Sequence, residues 1–155
     1  VFLFDLLAKI PVEATGKAKK APSNLPKLTY TKDGKPSKFV KTAKTDKSVS
    51  KTSVSVLIQG DGEKIKAGQT VTVHYLGQKY PAGEVFDESW TTGPRPISLA
   101  EGAAIPCWTD KLVGQTIGSR VILVCSTDDA YGQSAKEQNR PDGPLIFAID
   151  LLDAS

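Results

Sequence analysis

AIPCWTDKLVGQTIGSRVILVCS, residues 104–126, places one helix and one strand in immediate succession. Pro106 suits a first helical position, where the N–H it lacks would have no partner anyway. Ile105, Trp108 and Leu112 then recur at i, i+3 and i+7, the spacing of a single apolar stripe, and Gly114 supplies a stop. SRVILVCS is rich in branched aliphatics and reads as a strand.

Working outward, LIFAIDLL (145–152) is a second strong strand of the same composition. On the other side, QTVTVHYLG (69–77) alternates and puts Val71, Val73 and Tyr75 on one face. EVFDES (84–89) follows Gly83 as a shorter strand. SVSVLIQ (53–59) alternates and ends at the turn Gly60-Asp61-Gly62. About five strands and one short helix predict an antiparallel α+β domain over residues 53–155, with the helix covering one face of the sheet.

The remainder of the 155-residue chain reads differently. Residues 26–52 contain the β-prone pieces LTY and KFV around the turn 32–36, an N-terminal extension expected to lie as an edge strand on the domain. Residues 11–25, PVEATGKAKKAPSNL, have no periodicity and read as a flexible linker. VFLFDLLAKI (1–10) aligns with the end of the chain at a constant offset of 145: Phe2 with Phe147, Asp5 with Asp150, Leu6 with Leu151 and Leu7 with Leu152. That register suggests the closing strand of a truncated preceding domain in a tandem array. The chain starts at Val1 and has no Met, which reads as a piece of something longer.

Charge divides along the same boundary. Residues 1–55 hold 12 Lys/Arg against 4 Asp/Glu, and residues 56–155 hold 8 against 13. The lysines of the front half are spread through Gly, Pro, Ser and Thr, with few aromatics for stacking. They read as a solvated extension rather than a nucleic-acid patch. No apolar run approaches the roughly 20 residues of a membrane span.

Several chemistries lack their residues. There is no H-E-x-x-H, no G-x-S-x-G and no P-loop. Two cysteines and the single His74 do not make a zinc site at any standard spacing. Asp128-Asp129 and Asp87-Glu88 read as turn and surface charges. What remains is a set of aromatics beside turns: Tyr75, Phe86, Trp90, Trp108, Tyr131 and Phe147. Any small core collects such residues, so their order along the chain matters more than their number.

That order is VTVHYLGQ, GEVFDESW, AIPCW, LVGQTIGSRVILV, DAYG and LIFAIDLL. In sequence and spacing it resembles the FKBP-type peptidyl-prolyl cis–trans isomerases over about two thirds of the chain, bacterial ones in which such a domain is part of a tandem array. The resemblance implies an antiparallel half-barrel sheet wrapped around one short helix, with a shallow apolar pocket between them. It implies that Trp108 forms the pocket floor and that Tyr75, Phe86 and Phe147 form its walls. Ile105 N–H would bind a substrate carbonyl with Ala104 beside it, the Tyr131 hydroxyl would donate a second hydrogen bond, and Asp87 would be a polar partner at the rim. Substrates would be unfolded or extended proline-containing polypeptides, and macrolides such as tacrolimus or rapamycin could enter the same pocket. No metal or cofactor is implied, because rotation about an X–Pro bond makes and breaks no σ bond.

The chain departs from the family pattern in places. Arg95 takes a wall position usually aromatic, which makes that side of the substrate site more open and polar. Residues 133–144, QSAKEQNRPDGP, are polar where the family commonly has apolar residues. These departures favour an alternative reading, a catalytically weak peptide-binding or chaperone module of the same fold, and lower the expected macrolide affinity. Ala100 replaces a usual glycine without evident consequence. Cys107 replaces another, and Cys125 lies on the strand expected beneath the helix. Either the two form a disulfide, which would tilt the location towards outside the cytoplasm, or they are separate buried thiols.

Overall fold

The computed structural model of the chain describes residues 11–155; segment 1–10, with its expected closing strand, lies outside them. In chain order the strands are β1 (Lys17–Ala18), β2 (Lys27–Tyr30), β3 (Pro36–Val40), β4 (Ser53–Gln59), β5 (Thr70–Lys79), β6 (Val85–Glu88), β7 (Arg95–Ser98), β8 (Arg120–Cys125) and β9 (Leu145–Ala154). Helix α1 (Pro106–Lys111) precedes β8, starting at Pro106 as its sequence predicts. No helix among the described residues is long and apolar enough to cross a membrane.

The centre of the sheet is the pair β8–β9. β8 is buried throughout and β9 over its first eight residues, as expected of continuous aliphatic runs covered on both faces. The order is β1-β4-β8-β9-β5-β6, every pairing is antiparallel, and β7 also pairs with β5. The sheet thus has seven strands rather than about five. The additions, β1 and β7, are too short to carry a periodic signal.

β7 pairs with Thr70–Val73 and β6 with Leu76–Gln78, on the same edge of β5. Ser89 closes the gap between them. Its Oγ accepts from Tyr75 N–H at 2.7 Å, and its own N–H donates to Tyr75 O at 2.9 Å. Ser89 has no exposed surface, so its hydroxyl satisfies a backbone donor that no water could reach.

Cross-strand register separates the two faces. Tyr75, Ile149 and Val121 form one inner row, and Gly77, Phe147 and Leu123 form the next. Helix α1 packs against these rows through Cys107, Trp108 and Leu112. Cys107 and Cys125 are bonded to each other, tying α1 to the end of β8 with their Cα atoms 5.7 Å apart.

The extension is not an edge strand. β2 and β3 form a separate two-stranded hairpin laid across the outer face of the sheet. Leu28 and Phe39 cluster there with Leu76, Ile122, Val124, Ile146 and Ala148. Buried Gln78 pins the hairpin: its Oε1 accepts from Phe39 N–H, and its Nε2 donates to the carbonyls of Phe39 (3.3 Å) and Gly83 (2.7 Å). Part of the stretch read as a flexible linker is ordered too. Lys17 and Ala18 pair with Gln59 and Ile58 of β4, and Lys19 N–H donates to Leu57 O at 2.7 Å.

Candidate functional site

The inner rows leave a concavity between α1 and the open side of the sheet, about 210 Å³ in volume. It exists because four aromatic rings meet edge to face, in three pairs, instead of filling the space. Trp108 stands at 89° to Phe147 with centroids 5.3 Å apart, and at 83° to Tyr75 at 5.6 Å. Phe86 meets Phe147 at 84° and 5.8 Å. Edge-to-face pairs set a positive ring edge against a negative ring face and fix each ring's orientation. Trp108, Tyr75 and Phe147 are at most 6% exposed, so the cavity is dry on three sides.

Gly77 gives these rings their room. A Cβ there would lie 2.8 Å from both Phe147 Cε1 and Phe86 Cζ, a separation that only movement of the rings could relieve. Its place in the V-H-Y-x-G strand was visible in the sequence, but its purpose was not.

Two hydrogen-bond donors at the cavity are uncommitted. Ile105 is the N-cap of α1, in extended conformation with φ −63° and ψ 149°. Its N–H has no acceptor among the described residues, because the first N–H groups of a helix have no intrahelical partner. The Tyr131 hydroxyl likewise makes no hydrogen bond within the described residues. The third polar pair is closed: the Tyr75 hydroxyl donates to Asp87 Oδ2, while Asp87 Oδ1 accepts from Glu88 N–H at 2.9 Å. Burial, with the Asp87 hydrogen bond and charge behind it, pushes the Tyr75 phenol up well beyond its ordinary value. It therefore stays a neutral donor throughout the working pH range.

Of the nine residues singled out for this site, eight line the cavity: Tyr75, Phe86, Asp87, Ala104, Ile105, Trp108, Tyr131 and Phe147. Arg95 does not line it. It is exposed at the start of β7, opposite Val73, while Ile97, opposite Val71, takes the lining position two residues on. Ala103 is the other lining residue missed. Neither Ile97 nor Ala103 stands out in sequence, since each is a small or aliphatic residue in a short segment.

Comparison with known proteins agrees with this geometry. Residues 61–152 match the sequence pattern of the family described as FKBP-type peptidyl-prolyl cis-trans isomerase. An FK506-binding protein of Streptomyces anulatus is 38% identical over 97 residues, covering 61% of this chain and 78% of that one. The FKBP-type peptidyl-prolyl cis-trans isomerase FkpA of Escherichia coli is 34% identical over 112 residues, 70% of this chain but only 41% of the relative. The crystal structure of a peptidyl-prolyl cis-trans isomerase from Pseudomonas syringae superposes with a TM-score of 0.60 at 32% identity, covering 67% of this chain and 75% of the other.

Proposed function

The chain belongs to the FKBP-type peptidyl-prolyl cis–trans isomerases, and we propose that its cavity over Trp108 is where it turns X–Pro bonds in unfolded or extended polypeptides. The observation that carries this is the pairing of a dry aromatic cavity with two uncommitted donors at its mouth, Ile105 N–H and the Tyr131 hydroxyl.

The reaction asks little of the protein's covalent chemistry. Rotation about the prolyl amide breaks resonance against a barrier of about 18–20 kcal/mol. A twisted amide has lost charge separation, so an apolar cavity disfavours the planar, polar ground state relative to it. The prolyl ring rests on Trp108 between the Tyr75, Phe86 and Phe147 rings. Ile105 N–H and the Tyr131 hydroxyl hold backbone carbonyls on either side of the turning bond. Asp87 holds the Tyr75 wall in place. Macrolides such as tacrolimus and rapamycin enter the same cavity in place of the prolyl ring, loosely, because the rim towards Gln138 and Arg140 is polar.

That same open rim favours a second reading, a weakly catalytic peptide-binding module. One assay separates the two. In NMR exchange measurements on Leu-Pro peptides, the wild type accelerates isomerisation. Tyr131→Phe lowers kcat/KM about fivefold, the worth of roughly 1 kcal/mol for one hydrogen bond, with folding stability unchanged because the hydroxyl bonds nothing among the described residues. A wild type that binds such peptides equally with proline replaced by alanine, and accelerates none, selects the binding module.

A further inference from the structure

Beside the aromatic cavity runs a second cleft that the reaction as described leaves unused. The two share one wall, formed by Ala103, Ala104, Ile105 and Tyr131; the far side of the second cleft is made by Gln138 and Arg140. A chain held on Ile105 N–H and the Tyr131 hydroxyl therefore lies on the ridge between them, with its next side chain facing the cleft.

Arg140 is well placed to meet that side chain. It follows a 3-10 turn (Lys136–Gln138) that ends on Asn139 in the left-handed region, φ 58°. Its N–H donates to the carbonyl of Ala135 at 2.9 Å, and Ala135 has no exposed surface, so the backbone at 140 is anchored to the core. The guanidinium lies over the Tyr131 ring, 5.4 Å from its centroid. Stacking of this kind orients a guanidinium while leaving its edge donors free.

Arg140 makes no ion pair among the described residues. The carboxylate nearest in sequence on its C-terminal side, Asp142, is taken by Lys79 and Lys136. Glu101 and Glu137 border the region in sequence, but neither lines the cleft. On the opposite side of the cavity Arg95 is also unpaired among the described residues. Register opposite Val73 turns it to the inner face. The one carboxylate at the cavity itself, Asp87, is occupied by the Tyr75 hydroxyl. Two arginines without an ion pair thus flank the substrate approach, against the single carboxylate charge of Asp87.

We propose that the cleft beyond Tyr131 is a side-chain subsite for an acidic residue flanking the proline, read by Arg140, so that the enzyme favours acidic prolyl contexts. This rests on the reading of the aromatic cavity as the prolyl site. An Arg–carboxylate contact in a solvent-open cleft is worth a two- to fivefold preference, about 0.4–1 kcal/mol, within the range of exposed ion pairs in general, and it weakens as salt screens it.

The test uses matched peptides bearing Glu, Gln or Lys immediately before the proline and, in a second set, immediately after it. Values of kcat/KM are measured for the wild type, Arg140→Gln and Arg140→Glu at low and high salt. Within each protein the Glu/Gln ratio is read, which cancels any general change in turnover. Expected is a wild-type ratio of about two to five in one of the two sets, falling towards one in high salt, lost in Arg140→Gln and inverted in Arg140→Glu, with Lys ranking in the opposite order. A wild type that turns over Gln peptides with a Glu/Gln ratio of one in both sets overturns the subsite alone. So does a preference that survives Arg140→Glu. A wild type that accelerates none of the peptides overturns the prolyl site and the subsite together.

Discussion

The inner and outer faces of the sheet leave their polar groups in different states. On the inner side, around the aromatic cavity, the half-buried Ile105 N–H and Tyr131 hydroxyl have no partner among the described residues. On the outer side buried polar groups are bonded almost without exception, Trp90 Nε1 being the one orphan among the described residues. There His74, Asp150 and Arg120 form a row across β5, β9 and β8. Arg120 grips Asp150 with two bonds, at 2.6 and 2.8 Å, and Ala14 N–H donates to the same carboxylate at 2.9 Å. His74 stacks on Trp90 at 4.0 Å, and its Nδ1 lies 2.8 Å from Ser89 Oγ. A buried unpaired donor costs free energy, whereas a donor at an open cavity stays solvated until a substrate carbonyl takes it. Half-exposed, unpartnered donors at the cavity and a bonded polar row opposite therefore distinguish the face that waits for a substrate from the face that holds the fold.

The contrast can be broken by disturbing each face in turn. Asp150→Ala should have the largest effect, because it strands the Arg120 guanidinium at 5% exposure. Breaking such a buried pair costs about 3–5 kcal/mol, read in urea denaturation. A loss below about 1 kcal/mol, the worth of an exposed pair, would show that the outer face does not depend on its polar network. Next is the Cys107–Cys125 bond, which spans 18 residues and ties the helix carrying Trp108 to β8. Reduction, or the Cys107→Ala/Cys125→Ala pair, should cost about 3 kcal/mol by chain entropy. Intact mass should rise by two hydrogens on reduction, and turnover should fall with stability because the cavity floor loosens.

The smallest effect concerns pH. Burial, against the opposing charge of Asp150, lowers the His74 pKa below its ordinary 6.5. The unfolded chain then takes up the proton first, so the contribution is complete above pH 6.5 and declines as pH falls through the folded value. His74→Gln should flatten that part of the stability–pH curve while leaving catalysis on the inner face unmoved. A curve of unchanged slope would remove His74 from the outer network.

These faces were unequally legible in the sequence. Trp108 and its helix could be read because Pro106, the i, i+3, i+7 spacing and Gly114 are local signals, each acting within a few residues. β8 and β9 could be read from composition. The pocket followed from the family resemblance that the order of its aromatics carries. The hairpin was misplaced because LTY and KFV announce strands without saying what they cover. The surface that receives them comes from Leu76, Ile122 and Ile146, far along the chain. Ser89, Gly77 and Ile97 were missed for the same reason: a bridged strand gap, the clearance for two rings and a lining position are each relations between distant segments.

The hairpin over Gln78 has a practical bearing on how the protein can be handled. Cutting the chain back to the 61–152 segment would remove β1 to β4 and lay bare Leu76, Ile122, Val124, Ile146 and Ala148 as one greasy sheet face beside an open β8 edge. Such a trimmed protein would keep its pocket residues and precipitate. The working unit for expression or crystallisation therefore begins no later than Glu13, one residue ahead of the Ala14 N–H that rests on Asp150.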